Sequence, residues 1–312
     1  MGVATQRRRL GSAGPQVSEV GLGCNNFGMK LDQRQTTAVV HAALDAGITH
    51  FDTAEMYGHG LSEVFLGKAL GDRRESVVVA TKFLDRPEGE PYRPGILRKR
   101  ILEGCDISLS RLGTDYIDLY YQHHPDPEAP VEEALETFLQ LQASGKVRHV
   151  ACSNYESALV EEAVTIARRL DVPGFVADQI HWNLLAREVE AETVPALRGH
   201  GLGIVPYFPL EVGLLTGKYV QGEEWPEGSR LAVMPRFGRF ATKENFALVE
   251  KLAAFARGAG HSLLELAFGW LLSQEGVASV IAGATTPEQV LANVQAGTAW
   301  RLSPEEMAAV PA

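Results

Sequence analysis

Four side chains capable of acid–base chemistry follow three short apolar segments that are typical of β-strands. Asp52 lies near the end of the second such segment and Tyr57 in the loop after it, while Lys82 ends the third and His123 ends the fourth. Alternate residues of a strand point to opposite faces, so Lys82 and His123 each share a face with small or apolar residues. This pattern, at one level of three neighbouring strands, indicates an active-site layer.

Tyr57 is the candidate proton donor of this set. A free phenol has a pKa near 10, and a general acid works best near the ambient pH. Lowering that pKa by about three units requires roughly 4 kcal/mol of stabilisation of the phenolate, which an ammonium at about 4 Å supplies at an effective dielectric constant near 20. We therefore expect Lys82 to lower the pKa of Tyr57, Asp52 to hold Lys82 charged and oriented, and His123 to donate to the reacting oxygen.

Two other kinds of chemistry would use the same residues. A metal site at His123 and His124 is disfavoured, because adjacent residues of a strand face opposite ways and the chain has no HExxH motif, so we predict no metal. A Schiff base at Lys82 stays open, since barrel aldolases use a lysine at a strand end. That chemistry leaves Tyr57 without a role.

Short β-branched segments alternate with longer amphipathic segments through eight cycles. The predicted strands are residues 19–24, 49–54, 76–83, 116–123, 147–154, 175–182, 203–209 and 277–283. The predicted helices include residues 34–46, 61–70, 94–111, 131–145, 156–170, 188–198, 263–275 and 286–296. Such alternation implies parallel strands joined by right-handed crossovers, and eight units that close on themselves form a (β/α)8 TIM barrel. We predict this α/β fold, as a single domain over residues 1–312.

A doubly wound sheet is the competing fold, and its phosphate-binding motifs are incomplete here. Residues 21–26 lack the third glycine of a GxGxxG loop, and residues 213–219 lack the Ser or Thr of a P-loop. Residues 210–240, rich in Gly, Pro and aromatics and without a clear period, instead follow the seventh strand of a barrel. A connection of that length at the active-site end predicts a functional flap.

Composition and charge exclude several classes of protein. The chain has 312 residues, of which 45% are hydrophobic, and a formal net charge of −10, so nucleic acid is not an expected partner. No apolar run of about 18 residues occurs, so no membrane span is expected. The three cysteines are far apart and odd in number, which predicts free thiols in a cytoplasmic protein. Nothing in the sequence predicts the oligomeric state.

The ordered motifs resemble those of the aldo-keto reductases, which are barrel oxidoreductases that use a nicotinamide dinucleotide. The resemblance runs from Arg8-Arg9-Leu10-Gly11 to about Ala296. It is carried by Phe51-Asp52-Thr53-Ala54-Glu55-Met56-Tyr57-Gly58, Ser62-Glu63 with Leu66-Gly67, Thr81-Lys82, Asp115-Tyr116-Ile117-Asp118-Leu119-Tyr120 and Cys152-Ser153-Asn154-Tyr155. It implies carbonyl reduction, with Tyr57 as proton donor, Lys82 and Asp52 lowering its pKa, and His123 orienting the substrate.

The resemblance also implies a cofactor site. Ser153, Asn154 and Gln179 match positions that hold the nicotinamide carboxamide, and Tyr207 matches the aromatic that stacks on its ring. The remaining implied contacts are Leu210, Gly213 and Lys218 over the pyrophosphate, and Gly283, Thr285, Gln289 and Asn293 at the adenosine end. Several members have Lys at the position of Gly283, so NADH is an alternative to the expected NADPH.

Substrate identity is hardly encoded, beyond an aldehyde or ketone carbonyl with alcohol oxidation as the reverse reaction. Residues near strand ends that could line the pocket, or pack in the core, are Phe27, Met56, Phe83, His124 and Trp182. A second hypothesis of another class is a cofactor-binding regulatory protein, similar to the potassium-channel β subunits, which keep the same barrel.

Overall fold

The computed structural model describes residues 5–87 and 89–312. Its main sheet consists of eight parallel strands, ordered β10-β3-β4-β5-β6-β7-β8-β9. These strands are β3 (Val20–Gly23), β4 (His50–Asp52), β5 (Val78–Phe83), β6 (Ile117–Gln122), β7 (Val147–Ser153), β8 (Ala177–His181), β9 (Gly203–Tyr207) and β10 (Val280–Gly283). All eight predicted strands are present, each within a few residues of its predicted bounds.

The sheet closes on itself. Val280 pairs with Val20 between the last and first strands, and a parallel bridge joins Ile204 of β9 to Val277, just before β10. The amide of Ala278 donates to the Ile204 carbonyl at 3.1 Å, so the ladder continues across the remaining gap. The predicted (β/α)8 TIM barrel is confirmed.

Helices surround the barrel. They are α1 (Gln33–Asp45), α2 (Leu61–Leu70), α3 (Ile96–Leu112), α4 (Val131–Ala143), α5 (Ser157–Leu170), α6 (Thr193–Gly199), α7 (Arg230–Val233), α8 (Lys243–Gly258), α9 (Leu263–Leu272), α10 (Pro287–Ala299) and α11 (Pro304–Ala309). Capping boxes at Asp32 and Ser262 begin α1 and α9, because each side chain accepts from the third helical amide. The predicted helix over 188–198 is instead a 3-10 turn, Glu188–Glu190, followed by α6.

Two apolar layers fill the molecule. The inner one, inside the barrel, is built from small or branched residues such as Ala80, Leu119 and Ala151. A hairpin of β1 (Arg7–Arg9) and β2 (Gln16–Ser18) closes the end where the strands begin, and its Leu10 joins that inner layer. The outer layer packs helices on the sheet. The opposite end, where the strands finish, is therefore the open end of the barrel.

No helix within residues 5–87 and 89–312 has both the length and the apolar character that a membrane crossing requires.

Candidate active site

A fully buried ion pair forms the floor of the site. Lys82 Nζ donates to Asp52 Oδ1 at 2.6 Å and to the Thr53 carbonyl at 2.9 Å. Gln179 Nε2 donates to the other carboxylate oxygen, Oδ2, at 2.8 Å. Strand parity explains the arrangement, because Asp52, Lys82 and Gln179 all face the interior of the barrel from neighbouring parts of their strands. The predicted pairing of Asp52 with Lys82 is present in the structure.

Tyr57 lies above this pair at the start of a 3-10 turn, Tyr57–Gly60. The turn reverses sharply because Gly58 and His59 adopt left-handed conformations, and a Cβ on Gly58 would approach the Phe27 carbonyl oxygen to 2.6 Å. The ring centroid of Tyr57 is 5.5 Å from Lys82 Nζ and 6.1 Å from the ring centroid of His123. The turn thus brings together the four side chains predicted to act together.

The electrostatics of Tyr57 differ from the prediction. Burial of the phenol raises the pKa of Tyr57 above its ordinary value, while the Lys82 ammonium lowers it and Asp52 opposes that effect. The expected net lowering is therefore wrong for the protein by itself, because desolvation of the phenolate outweighs one ammonium that is already paired. Burial also lowers the pKa of Lys82, but Asp52 and Tyr57 raise it by more, so the amine stays protonated.

His123 follows the end of β6 and is stacked on His124, with ring centroids 4.5 Å apart and planes 15° apart. The expectation that these imidazoles face opposite ways is wrong, because β6 ends at Gln122 and strand alternation no longer applies beyond it. Burial, Lys82 and His124 together lower the pKa of His123 to about 2. His123 is consequently neutral, and one ring nitrogen can donate a hydrogen bond.

The residues expected to hold a nicotinamide form one connected group. Asn154, in a left-handed conformation, donates from Nδ2 to the His123 carbonyl at 3.0 Å and accepts from the Tyr207 hydroxyl at 2.8 Å. Ser153 Oγ donates to the Gln179 carbonyl at 2.8 Å. The structure thereby brings the expected carboxamide residues and the stacking aromatic to one side of Tyr57.

His181 supports this group, although the sequence did not mark it. Its imidazole stacks on the Tyr207 ring, with centroids 5.3 Å apart, and its Nε2 lies 2.7 Å from Glu211 Oε2. Glu211 is buried and has a φ of 40°, a left-handed conformation that is costly for this residue type. Its bonds to His181 and Asn183 Nδ2 hold it in place.

The segment over residues 210–240 is ordered as two 3-10 turns, Glu211–Thr216 and Pro235–Phe240, with α7 between them. Leu210 accepts from the Gly213 amide at 2.8 Å, and Gly213 has a φ of 106°, where a Cβ would meet the Lys218 side chain at 2.9 Å. Tyr219 and Leu231 are buried beneath it. Leu210, Gly213 and Lys218 thus lie in one turn, as a covering role requires.

The adenosine-end residues lie at the end of β10 and the start of α10. Gln289 Oε1 accepts from the amide and hydroxyl of Thr285 at 2.8 and 3.1 Å, and Asn293 is buried one turn further on. Gly283 is exposed, and a Cβ there would meet Asn26 Nδ2 at 3.3 Å and Asn25 Oδ1 at 3.4 Å. The four predicted residues therefore share one surface.

Arg230 is a functional candidate that the sequence did not reveal. Its Nη2 donates to Asn25 Oδ1 and Asn26 Oδ1, both at 3.2 Å, which places the guanidinium beside Gly283. Burial lowers the pKa of Arg230, and burial, Arg230 and Lys218 lower that of Lys30. In the described residues none of these three cations forms an ion pair with a carboxylate, so the cluster suits an anionic ligand.

The five predicted pocket residues divide into two groups. Met56 and His124 are exposed beside the site. Phe27, Phe83 and Trp182 are fully buried in the outer apolar layer, which agrees with the core-packing alternative for these three residues. Phe83 follows the inward-facing Lys82, so alternation turns it outward onto Phe138, and Trp182 packs against Trp270 of α9.

Comparisons with known proteins identify similar chains. A family model described as "Aldo/keto reductase family" matches residues 19–312. A protein of Oryza sativa subsp. japonica named "Probable voltage-gated potassium channel subunit beta" is 37% identical over 300 residues, which cover 93% of this chain and 90% of the relative. A protein of the same name from Arabidopsis thaliana is 35% identical over 300 residues, again 93% of this chain and 90% of the relative.

Proposed function

The chain belongs to the aldo/keto reductase family, and from this premise we propose that it is an NADPH-dependent carbonyl reductase that acts on an aldehyde or ketone. The observation that carries the proposal is the convergence of Tyr57, His123 and the buried Lys82–Asp52 pair at the open end of the barrel. A proton donor, a neutral hydrogen-bond donor and a fixed positive charge are the groups that stabilise a carbonyl oxygen as it gains negative charge.

Each side chain has one task in this mechanism. The reduced nicotinamide, when bound, supplies the hydride that reaches the carbonyl carbon. Tyr57 transfers its hydroxyl proton to the carbonyl oxygen, and the Lys82 ammonium stabilises the phenolate that remains. Asp52 keeps Lys82 charged and pointed at Tyr57, while the neutral imidazole of His123 donates to the same oxygen and fixes the carbonyl.

The donor set fits a phosphorylated dinucleotide. The hydrogen bond between Asn154 and Tyr207 fixes the side chains that would hold the nicotinamide carboxamide and ring, and the backbone around Gly213 would cover the pyrophosphate. Several family members have a lysine at the position of Gly283. In this chain Arg230 supplies a positive charge near that position, because it bonds to Asn25 and Asn26. A half-buried arginine with no carboxylate partner in the described residues favours NADPH over NADH.

The loss of reduced-nicotinamide absorbance with an activated aromatic aldehyde tests this function. We expect turnover with NADPH and a fall of about 100-fold or more in Tyr57→Phe, because a general acid contributes about that much. Binding of NADPH, followed by its fluorescence, should survive in the variant. Near-full turnover in Tyr57→Phe would show that Tyr57 is not the general acid.

Cofactor preference is tested by Arg230→Met. Losing a charge-assisted hydrogen bond costs about 1.5–3 kcal/mol, so we expect the KM for NADPH to rise about tenfold or more while kcat and the KM for NADH change little. The matched control is Arg257→Met, which removes an exposed arginine of α8. Equal effects on NADPH and NADH would place Arg230 away from the 2′-phosphate.

The Schiff-base alternative at Lys82 is not favoured by this geometry. Imine formation needs a neutral, accessible amine, whereas Lys82 is fully buried, bonded to Asp52 and kept protonated. Borohydride treatment in the presence of an aldehyde should therefore leave no adduct on Lys82.

A second candidate function is regulation of a membrane channel, and it is carried by the names of the relatives. It does not exclude catalysis, because both functions use the same barrel. A pull-down for a stable channel partner distinguishes them: recovery of only the unbound protein, with intact turnover, supports the reductase by itself.

A further inference from the structure

Three potential metal ligands meet at the rim of the barrel, next to the proton-donating set. Asp85 follows β5, and His123 and His124 follow β6, the neighbouring strand. One ligand atom from each residue lies within 4.8 Å of the other two. The parallel pairing of β5 with β6 causes this meeting, since the ends of parallel strands lie along one edge.

The bonding capacity of this cluster is only partly used. Asp85 Oδ2 lies 2.6 Å from His124 Nδ1, but Asp85 Oδ1 and His123 Nδ1 are buried and have no hydrogen-bond partner among the described residues. Arg86, the next residue in the chain, pairs instead with Asp126, to which it makes two hydrogen bonds at 2.8 and 2.9 Å. Buried polar atoms without partners are uncommon in proteins, and here an unpaired carboxylate oxygen and an unpaired imidazole nitrogen give one cluster the capacity to bind a ligand.

We propose that Asp85, His123 and His124 bind a divalent transition-metal ion of the Zn²⁺ class. Two imidazoles and one carboxylate form a typical three-ligand zinc set, which leaves a fourth position for water. The two imidazole rings are stacked with centroids 4.5 Å apart, and the His124 side chain is half exposed.

Metal binding at this position has a consequence that rests on the proposed function. A zinc ion on His123 withdraws the imidazole that would orient the carbonyl oxygen, and it obstructs the open end of the barrel. Zn²⁺ is thus an inhibitor that competes with the carbonyl substrate. The residues expected to hold the nicotinamide, Asn154 and Tyr207, meet this cluster only at the backbone carbonyl of His123, so we expect cofactor affinity to change little.

Direct binding is tested on the full chain with Co²⁺, whose visible absorption reports nitrogen and oxygen ligands in a site of low coordination number. We expect absorption bands that Zn²⁺ abolishes, and binding weaker by about tenfold or more in both Asp85→Asn and His124→Ala. The matched control is His200→Ala, which breaks another histidine–carboxylate pair, with Glu161 at 2.8 Å. Absence of bands, or equal binding in all four proteins, would overturn the proposal.

Inhibition is measured separately, so that the two proposals can fail independently. We expect Zn²⁺ to raise the apparent KM for the aldehyde in the wild type, and Asp85→Asn to need about tenfold more Zn²⁺ at unchanged basal turnover. Co²⁺ binding without any turnover would contradict the reductase and leave the metal site. Turnover that is insensitive to Zn²⁺, in a protein that shows no Co²⁺ bands, would contradict the metal site and leave the reductase.

Discussion

The two ends of the barrel each bury a carboxylate, but the surroundings of the two carboxylates differ. At the end where the strands begin, Asp118 forms an ion pair with Arg74 at 2.7 Å and accepts hydrogen bonds from Arg148 at 2.9 Å and the Val79 amide at 3.1 Å. Both arginines also stack on the Tyr116 ring, 4.4 and 3.6 Å from its centroid. The charge of Asp118 is thus shared among several donors that hold adjacent strands together.

At the open end, Asp52 has one cation, Lys82, and one amide, that of Gln179. The field of the ammonium reaches the phenol of Tyr57, whose hydroxyl has no hydrogen-bond partner in the described residues. His123 Nδ1 is also unpartnered there. The comparison indicates that a saturated network stabilises the fold, while chemistry needs a paired charge beside groups with unused bonding capacity.

The largest expected effect is that of Lys82→Met. Turnover should fall about 100-fold or more, because the Tyr57 phenolate loses its counter-charge. The free energy of unfolding should also fall by about 3–5 kcal/mol, since Asp52 is left buried without its cation. Steady-state kinetics and urea unfolding measure the two losses.

The matched control for Lys82 is Lys146→Met. Lys146 forms an exposed pair with Asp106 at 2.5 Å, so its removal should cost less than about 1 kcal/mol and leave turnover unchanged. A Lys82→Met protein with wild-type stability would show that other groups stabilise the buried Asp52 carboxylate. The proposed difference between the two ends of the barrel would then lose support.

Asp118→Asn should lower the stability of the protein without lowering its turnover, unlike Lys82→Met, which should lower both. We expect a loss of about 3 kcal/mol in the free energy of unfolding, because Arg74 is buried, although Arg148 is half exposed and keeps access to water. The KM and kcat should stay near wild-type values, since Asp118 lies at the far end of β6 from His123. A large fall in kcat in folded Asp118→Asn would contradict the division of roles.

Strand parity predicted the shared inner face of Lys82 because it is a local rule, whereas Gln179 was expected only from the family resemblance, as a cofactor contact. Asp52, Lys82 and Gln179 lie within regular strands, so alternation and the barrel geometry fix their direction. The same rule explains why Phe83 faces outward. It failed at His124, two residues beyond the regular strand, where loop geometry decides the direction of the side chain.

Long-range contacts were beyond the sequence. Arg230 reaches Asn25 and Asn26 across more than 200 residues, and no periodicity marks it. The raised pKa of Tyr57 likewise depends on how deeply the ring is buried, which spacing does not show. Helix α8 was not predicted, although Thr242 caps it, because it follows a segment without a clear period.

His50 offers the smallest and most selective test of the barrel interior between the two ends. It is fully buried under Asp52, bonded to Ser279 Oγ at 3.0 Å, and burial lowers its pKa from 6.5 to about 4. The unfolded chain therefore binds a proton at a pH where the native protein does not. The contribution of His50 to the free energy of unfolding is fully present above about pH 6.5. It falls by up to about 3 kcal/mol as the pH decreases to 4.

His50→Gln removes the titrating imidazole and keeps a polar partner for Ser279. The difference in unfolding free energy between the wild type and the variant should accordingly shrink as the pH falls from about 6.5 to about 4, and it should stay constant above that range. Urea unfolding at a series of pH values measures it. Parallel profiles for the two proteins would mean that His50 accepts a proton inside the barrel, and then the interior would be as tolerant of charge as the open end.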